Sequence, residues 1–231
     1  MELYRTLTPT CTGTTVVAFS YDEGVAILTD RLVSYGKMAR YKHVSRQYRV
    51  NDDVVVTFGG DYADFQWLQN VIERQTCKLR AYDPMANLSP KMLHAYLTSL
   101  LYYRRTQLDP IWNILVTAGM EKEGGDKNPY IGVITQRGVA YSSDTVATGI
   151  GAMLLNQAME TEFGKLKATN SLNRDQATAV LRKAIELALY HDCVADNEYE
   201  ITIVDRNGVA LGKPEKVTGN WDIAEYNCDY E

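Results

Sequence analysis

Three things are scarce in this chain of 231 residues: basic charge, paired cysteines and long apolar runs. With 24 Lys and Arg against 29 Asp and Glu the net charge is −5, so the basic excess of a nucleic-acid binder is missing. No window approaches the roughly 18 consecutive apolar residues of a membrane-spanning helix. The first residues, Met1 to Gly13, carry Arg5 but no apolar core, so they do not read as a signal peptide. Cys11, Cys77, Cys193 and Cys228 lie far apart, with no C-x-x-C pair and no histidine at ligand spacing. They are expected to be unlinked reduced thiols, not a disulfide framework or a zinc site. Pro/Gly/Ser linkers, internal repeats and low-complexity runs are also missing, which leaves one domain. What is present is 45% apolar side chains with 23% charged ones, enough to build a large core. A soluble, intracellular protein is expected.

The hydrophobic period sets the order of elements. Thr14 to Tyr21 and Val25 to Thr29 form a hairpin around Asp22-Glu23-Gly24, and Tyr48 to Val50 and Val54 to Gly59 form another. Val54-Val55-Val56 is continuously apolar, as in a strand covered on both faces. Asp61 can cap a helix bearing Tyr62, Phe65, Leu68 and Ile72, and Ser89-Pro90 starts a second with Leu93, Tyr96, Leu97, Leu100 and Leu101 on one stripe. Strands resume at Ile111 to Ala118, followed by a charged, Gly-rich loop from Glu121 to Asn128. Tyr130 to Thr135 then pairs with Val139 to Ser142. Two helices follow: Ala152 to Phe163, stopping at Gly164, and Asn173 to Tyr190, opened by a capping-box pattern. Glu200 to Val204, Val209 to Leu211 and a tail from Lys213 close the chain. Hairpins separated by helix pairs imply an α+β fold, two antiparallel sheets face to face with helix pairs outside.

Several residues could carry chemistry. Gly13-Thr14 at the start of the first strand is the arrangement of an N-terminal threonine nucleophile, whose freed α-amine takes the hydroxyl proton. A strand-forming Thr after Gly is equally what many strands open with. Asp30, at a strand end before Arg31, either orients a neighbouring base or caps a turn. The basic stretch Lys37, Arg40, Lys42, Arg46 and Arg49 reads as a solvated or partner-facing surface in an acidic chain. Gly149-Ile150-Gly151 before a helix could bind phosphate, but a lone G-x-G more readily marks close backbone packing. His191-Asp192-Cys193 reads as a helix exit, because adjacent residues do not face one another.

Gly13-Thr14, Asp30-Arg31, Gly59-Gly60-Asp61, Gly149-Ile150-Gly151 and Tyr190-His191-Asp192 occur in the order and spacing of proteasome beta-type subunits. The chain resembles that family over nearly its whole length. Within it, the resemblance points to the noncatalytic seventh beta type, also named beta type-4. Thr12-Gly13-Thr14 with Pro9 upstream, Ser34-Tyr35-Gly36, the run from Gly60 to Gln66, and Asn220-Trp221-Asp222-Ile223-Ala224 carry it. The resemblance implies a four-layer αββα sandwich of the N-terminal nucleophile hydrolase type.

It also implies a degenerate site. Thr14 falls on the family's nucleophile and Asp30 on its aspartate, but Arg46 takes the place of the catalytic lysine. A guanidinium stays charged and only donates, so it cannot shuttle a proton. Ile150 and Ala195 stand where active subunits have serines, and Asp192 is retained. No catalytic residue, metal or cofactor is expected. The implied role is structural: one place in a beta ring of the 20S core particle, a hetero-oligomer of about 28 alpha and beta subunits in cytoplasm and nucleus, with no nucleic-acid or membrane partner. Residues 1–13 would be an arm or remnant propeptide, 14–212 the αββα domain and 213–231 a tail contacting neighbours. Trp221, Ile223 and Tyr226 would anchor that tail. The rival reading is an active threonine endopeptidase cutting after Gly13. A G-x-G nucleotide module and a hydrolase using His191 or Cys193 rank below it.

Overall fold

Val54, Val55 and Val56 are all fully buried, yet they serve two different cores: Val54 and Val56 pack with one set of helices, and Val55 packs against a second sheet. Strand residues alternate faces, so a strand apolar at every position must be covered on both sides. The first hairpin repeats the pattern. Val17, Phe19 and Tyr21 face a second helix layer, while Val16 and Ala18 face the other sheet.

The computed structural model describes residues 8–222. Strands β1 (Cys11–Gly13), β2 (Val16–Tyr21), β3 (Gly24–Asp30), β4 (Val33–Tyr35), β5 (Met38–Tyr41), β6 (Gln47–Arg49) and β7 (Val54–Asp61) precede helices α1 (Tyr62–Tyr82) and α2 (Pro90–Thr106). Strands β8 (Asn113–Glu123), β9 (Asp126–Ile134), β10 (Ala140–Ser142) and β11 (Thr145–Ala147) follow. Then come α3 (Gly151–Leu154), α4 (Asn156–Ala168), α5 (Arg174–His191), and strands β12 (Glu198–Asp205), β13 (Gly208–Leu211) and β14 (Glu215–Lys216). One sheet has the order β10-β9-β8-β7-β1-β4-β5, with β6 also on β7; the other runs β11-β2-β3-β12-β13, with β14 also on β12. All pairings are antiparallel. The first sheet carries α1 and α2, the second α4 and α5, and Val16, Ile27, Val116 and Val133 fill the space between sheets. The expected αββα sandwich is the observed one.

Local capping chemistry places the helices as the sequence predicts. The side chains of Asp61, Ser89 and Asn173 accept the N–H of Asp64, Met92 and Gln176 at the starts of α1, α2 and α5. Two expectations are corrected. Helix α4 does not stop at Gly164 but continues to Ala168, because Phe163 and Leu166 pack on the second-sheet core and a mid-helix glycine costs only about 1 kcal/mol. The chain turns instead at Asn170, with φ of 48°. The charged stretch from Glu121 to Asn128 is exposed at its tip but is not a loop. It extends β8 and β9 to the pair Glu123–Asp126, turning through Gly124 and Gly125, both at positive φ.

The described residues just before Thr14 are built into the first sheet. Strand β1 lies between β7 and β4, with Thr12 opposite both Asp61 and Ser34 and Gly13 opposite Gly60. The Asp61 carboxylate also accepts the N–H of Thr10 at 3.0 Å, which ties this segment to the cap of α1.

Candidate functional site

Thr14 sits in the short link between β1, in one sheet, and β2, in the other, so its surroundings come from both layers. Its Oγ1 is buried and has no hydrogen-bond partner. Gly13, Thr14, Gly59, Gly60 and Gly149 line a small cavity of about 160 Å³, with Pro9 and Trp112 at its walls. The glycines let the backbones close on one another. A side chain at Gly59 would meet the Thr14 carbonyl at 2.7 Å, and one at Gly151 would meet Thr15 Cγ2 at 2.5 Å. Gly149, at φ of 65°, lies against the Thr14–Thr15 peptide. Gly149-Ile150-Gly151 is therefore a packing device. The four-residue helix it opens has no side-chain cap, and the Gly151 N–H is spent on Thr15 Oγ1 at 3.2 Å.

Beneath Thr14 lies Arg46, with no solvent exposure. The sequence placed it in a basic surface stretch, and the structure separates it from that stretch: Lys37, Arg40, Lys42 and Arg49 are exposed, while Arg46 points into the interior. Its five N–H donors find five acceptors. Nε donates to the Asp30 carbonyl at 3.1 Å, and Nη1 donates to the carbonyls of Thr14 at 3.3 Å and Phe58 at 3.0 Å. Nη2 donates to the Thr15 carbonyl at 2.6 Å and to Asp30 Oδ1 in a buried ion pair. This one side chain thus binds the link before β2, the end of β3 and the middle of β7. A lysine offers three donors and cannot fill this cage.

Asp30 is buried at the end of β3. Desolvation pushes its carboxyl above the usual range, against the pull of Arg46 and of the Asp196 N–H, which Oδ2 accepts at 3.4 Å. A guanidinium does not deprotonate, and buried it requires a counter-charge, which Asp30 supplies. Asp192 ends α5 near enough that its charge also acts on Asp30. Its Oδ1 accepts the Val194 N–H at 3.0 Å, but Oδ2 is buried without a partner. Neither Ile150 nor Ala195 has a hydroxyl to offer it. His191 is the last residue of α5, bonded to the Leu187 carbonyl at 2.9 Å, and Cys193 is exposed and free, so these form the helix exit that was expected.

The structure therefore brings Thr14, Asp30 and Arg46 together, with Asp192 beside Asp30 and the turn at Ile150 against Thr14–Thr15. Two roles were missed, though both residues flank the motifs singled out: that of Thr15, whose hydroxyl accepts the Gly151 N–H, and that of Thr148, whose Oγ1 accepts the Val16 N–H at 3.1 Å. Both bonds join positions more than a hundred residues apart, so no local pattern signals them. In the tail, the Trp221 ring packs edge-on to Tyr190 with centroids 5.0 Å apart, and the Asn220 N–H donates to the Tyr190 hydroxyl at 2.7 Å. Trp221 remains half-exposed. Ile223 and Tyr226 lie outside the described residues. Among those described, no group of His, Cys, Asp and Glu could hold a metal ion.

Comparison with known proteins converges on the same resemblance. The family model of proteasome subunits matches residues 10–204. Proteasome subunit beta type-4 of Xenopus laevis is 35% identical over 227 residues, 98% of this chain and 91% of that protein. The probable proteasome subunit beta type-7 of Schizosaccharomyces pombe is 33% identical, covering 99% of this chain and 86% of its own length. Proteasome subunit beta type-7 of Saccharomyces cerevisiae is 31% identical, over 96% and 85%. The chain belongs to the proteasome subunit family.

Proposed function

We propose that this chain is a noncatalytic beta-type subunit of the 20S core particle, a structural member of a threonine-type peptidase complex. It occupies one place in a seven-membered beta ring, walls the chamber and positions its catalytic neighbours within an assembly of about 28 alpha and beta subunits. The observation that carries this reading is the Arg46 cage. All five donors are committed to Asp30 and three main-chain carbonyls from Thr14, Thr15 and Phe58, while the Thr14 hydroxyl has no partner. A nucleophile needs a group that accepts its proton, and nothing bonded to Thr14 Oγ1 does so.

The same reading assigns residues 1–13 as an arm or remnant propeptide, 14–212 as the subunit domain and 213–231 as a tail that reaches neighbouring subunits, with Trp221, Ile223 and Tyr226 as its anchors. Cytoplasm and nucleus are the corresponding locations. The rival, an active endopeptidase using Thr14 after cleavage at Gly13, has the cavity at Thr14 in its favour. Substitution Thr14→Ala in assembled particles separates the two. The structural reading predicts that every peptidase specificity is retained, and the loss of one would establish the rival.

A further inference from the structure

From Tyr35 to His43 every residue is exposed. This run is the hairpin of β4 and β5, and β5 is the outermost strand of its sheet, paired with β4 on one side and with no described strand on the other. Its root is firmly held. The Val44 N–H donates to the Arg31 carbonyl at 3.1 Å, His43 Nδ1 lies 2.9 Å from Glu198 Oε1, and Arg31 binds the same carboxylate at 2.7 Å. A rigidly rooted free edge is therefore presented outward.

Its chemistry is mixed. Lys37, Arg40 and Lys42 supply three positive charges, and none pairs with a carboxylate among the described residues; Arg40 lies over the Tyr41 ring at 5.7 Å. Charges alone would be accounted for as protection of an open edge against unwanted strand pairing. That does not account for Tyr35, Met38 and Tyr41, which are 56%, 50% and 45% exposed on the same few residues. Tyr, Met and Arg are the types enriched where proteins meet. Side chains alternate along a strand, so Met38 and Arg40 share one face and Tyr41 takes the other. Only an occupant lying along the edge, touching both faces, covers all of them.

We propose that the free edge of β5 receives an extended acidic segment of a neighbouring subunit, which adds as a strand. Its main chain pairs with β5, its carboxylates meet Lys37, Arg40 and Lys42, and its apolar side chains cover Met38 and Tyr41. The positive edge on a chain of net charge −5 selects against basic segments as well as for acidic ones. The proposal rests on the reading that the chain assembles with other proteasome subunits.

The test uses intact particles containing the full chain. Native and denatured particles are acetylated, and native particles are separately treated with a carbodiimide that joins lysine amines directly to touching carboxylates. Lys37 and Lys42 should react about tenfold less in the native particle than after denaturation, as for side chains shielded by an interface, and should couple to Asp or Glu of one neighbour. Full reactivity in the native particle overturns the proposal, as does protection with no coupling to a carboxylate. The triple substitution Lys37→Glu, Arg40→Glu, Lys42→Glu should lower incorporation about tenfold or more, while the charge-preserving set Lys37→Arg, Arg40→Lys, Lys42→Arg should not. Equal incorporation of the charge-reversed chain also overturns it. A wild-type chain found outside particles altogether would remove the functional reading, a result distinct from an uncovered hairpin in an assembled particle.

Discussion

Gly13 lies directly on Arg46. A side-chain carbon added at Gly13 would stand 2.5 Å from Arg46 Cδ and 2.8 Å from its Nη1, so the residue before Thr14 must be glycine for the guanidinium to occupy its cage. Gly13→Ala should therefore destabilise the chain by about 1–3 kcal/mol, the usual cost of forcing volume into a packed interior. Denaturant unfolding measures it, and an unchanged midpoint would show that Arg46 can move aside.

The Arg46–Asp30 pair is the second point of weakness. Asp30→Asn removes the counter-charge of a fully buried cation and should cost about 3–5 kcal/mol. Arg46→Lys keeps the charge but leaves main-chain carbonyls unpaired, so it should also destabilise, by about 1–3 kcal/mol. It should confer no peptidase activity, because Ile150 and Ala195 still supply no hydroxyl. Peptidase assays on particles carrying Arg46→Lys check the second half of this expectation.

Thr14 and Arg46 also show what could and could not be read from the sequence. Hairpins and caps were legible because they are local: Asp61, Ser89 and Asn173 announce their helices within four residues. The short strands β1 and β11 were not, since each is defined by a distant partner and not by its own period; β4 and β5 are local partners but, at three and four residues, too short to show a period. Arg46 stands in a run of cations that are otherwise exposed, and only the tertiary arrangement of three strands takes it inside. The resemblance named Thr14, Asp30, Arg46 and Asp192, but the five-acceptor cage and the unpartnered oxygens of Thr14 and Asp192 depend on contacts between distant segments that no local pattern signals.

Tyr21 supplies a pH-dependent prediction. Burial, with a further push from Asp205 and an opposing pull from Arg174, raises its phenol to about 12, and its hydroxyl has no partner. An unfolded tyrosine ionises near pH ~10, so between about pH 10 and 12 the folded state holds a proton that the unfolded state has released. Unfolding free energy must fall as pH rises through that window. Tyr21→Phe should make that slope shallower, Tyr48, Tyr130 and Tyr199 being raised by burial as well, and, by deleting a buried unpaired hydroxyl, add about 1 kcal/mol at neutral pH. Unfolding curves at neutral and alkaline pH check both, and a variant less stable than wild type at pH 7 would contradict the account.

Gly164 is a helix-interior glycine with open space where a side chain would go. Gly164→Ala should stabilise α4 by about 0.5–1 kcal/mol. A loss of stability would indicate that α4 does end at Gly164.

The tail prediction depends on assembly. Deleting residues 220–231 removes the Trp221 ring from Tyr190 together with the proposed anchors Ile223 and Tyr226. Half-particles should accumulate while the chain itself remains folded, which native gel electrophoresis of assembling particles detects. Normal assembly kinetics would exclude an anchoring role for the tail.

The central claim is that Thr14 never becomes a working nucleophile, and the mass of this chain released from purified particles tests it most directly. The account predicts a mass whose first residue lies upstream of Thr14, so that the threonine nitrogen remains an amide following Gly13. A mass beginning at Thr14 would mean that the chain cleaves there despite the Arg46 cage, and would contradict it.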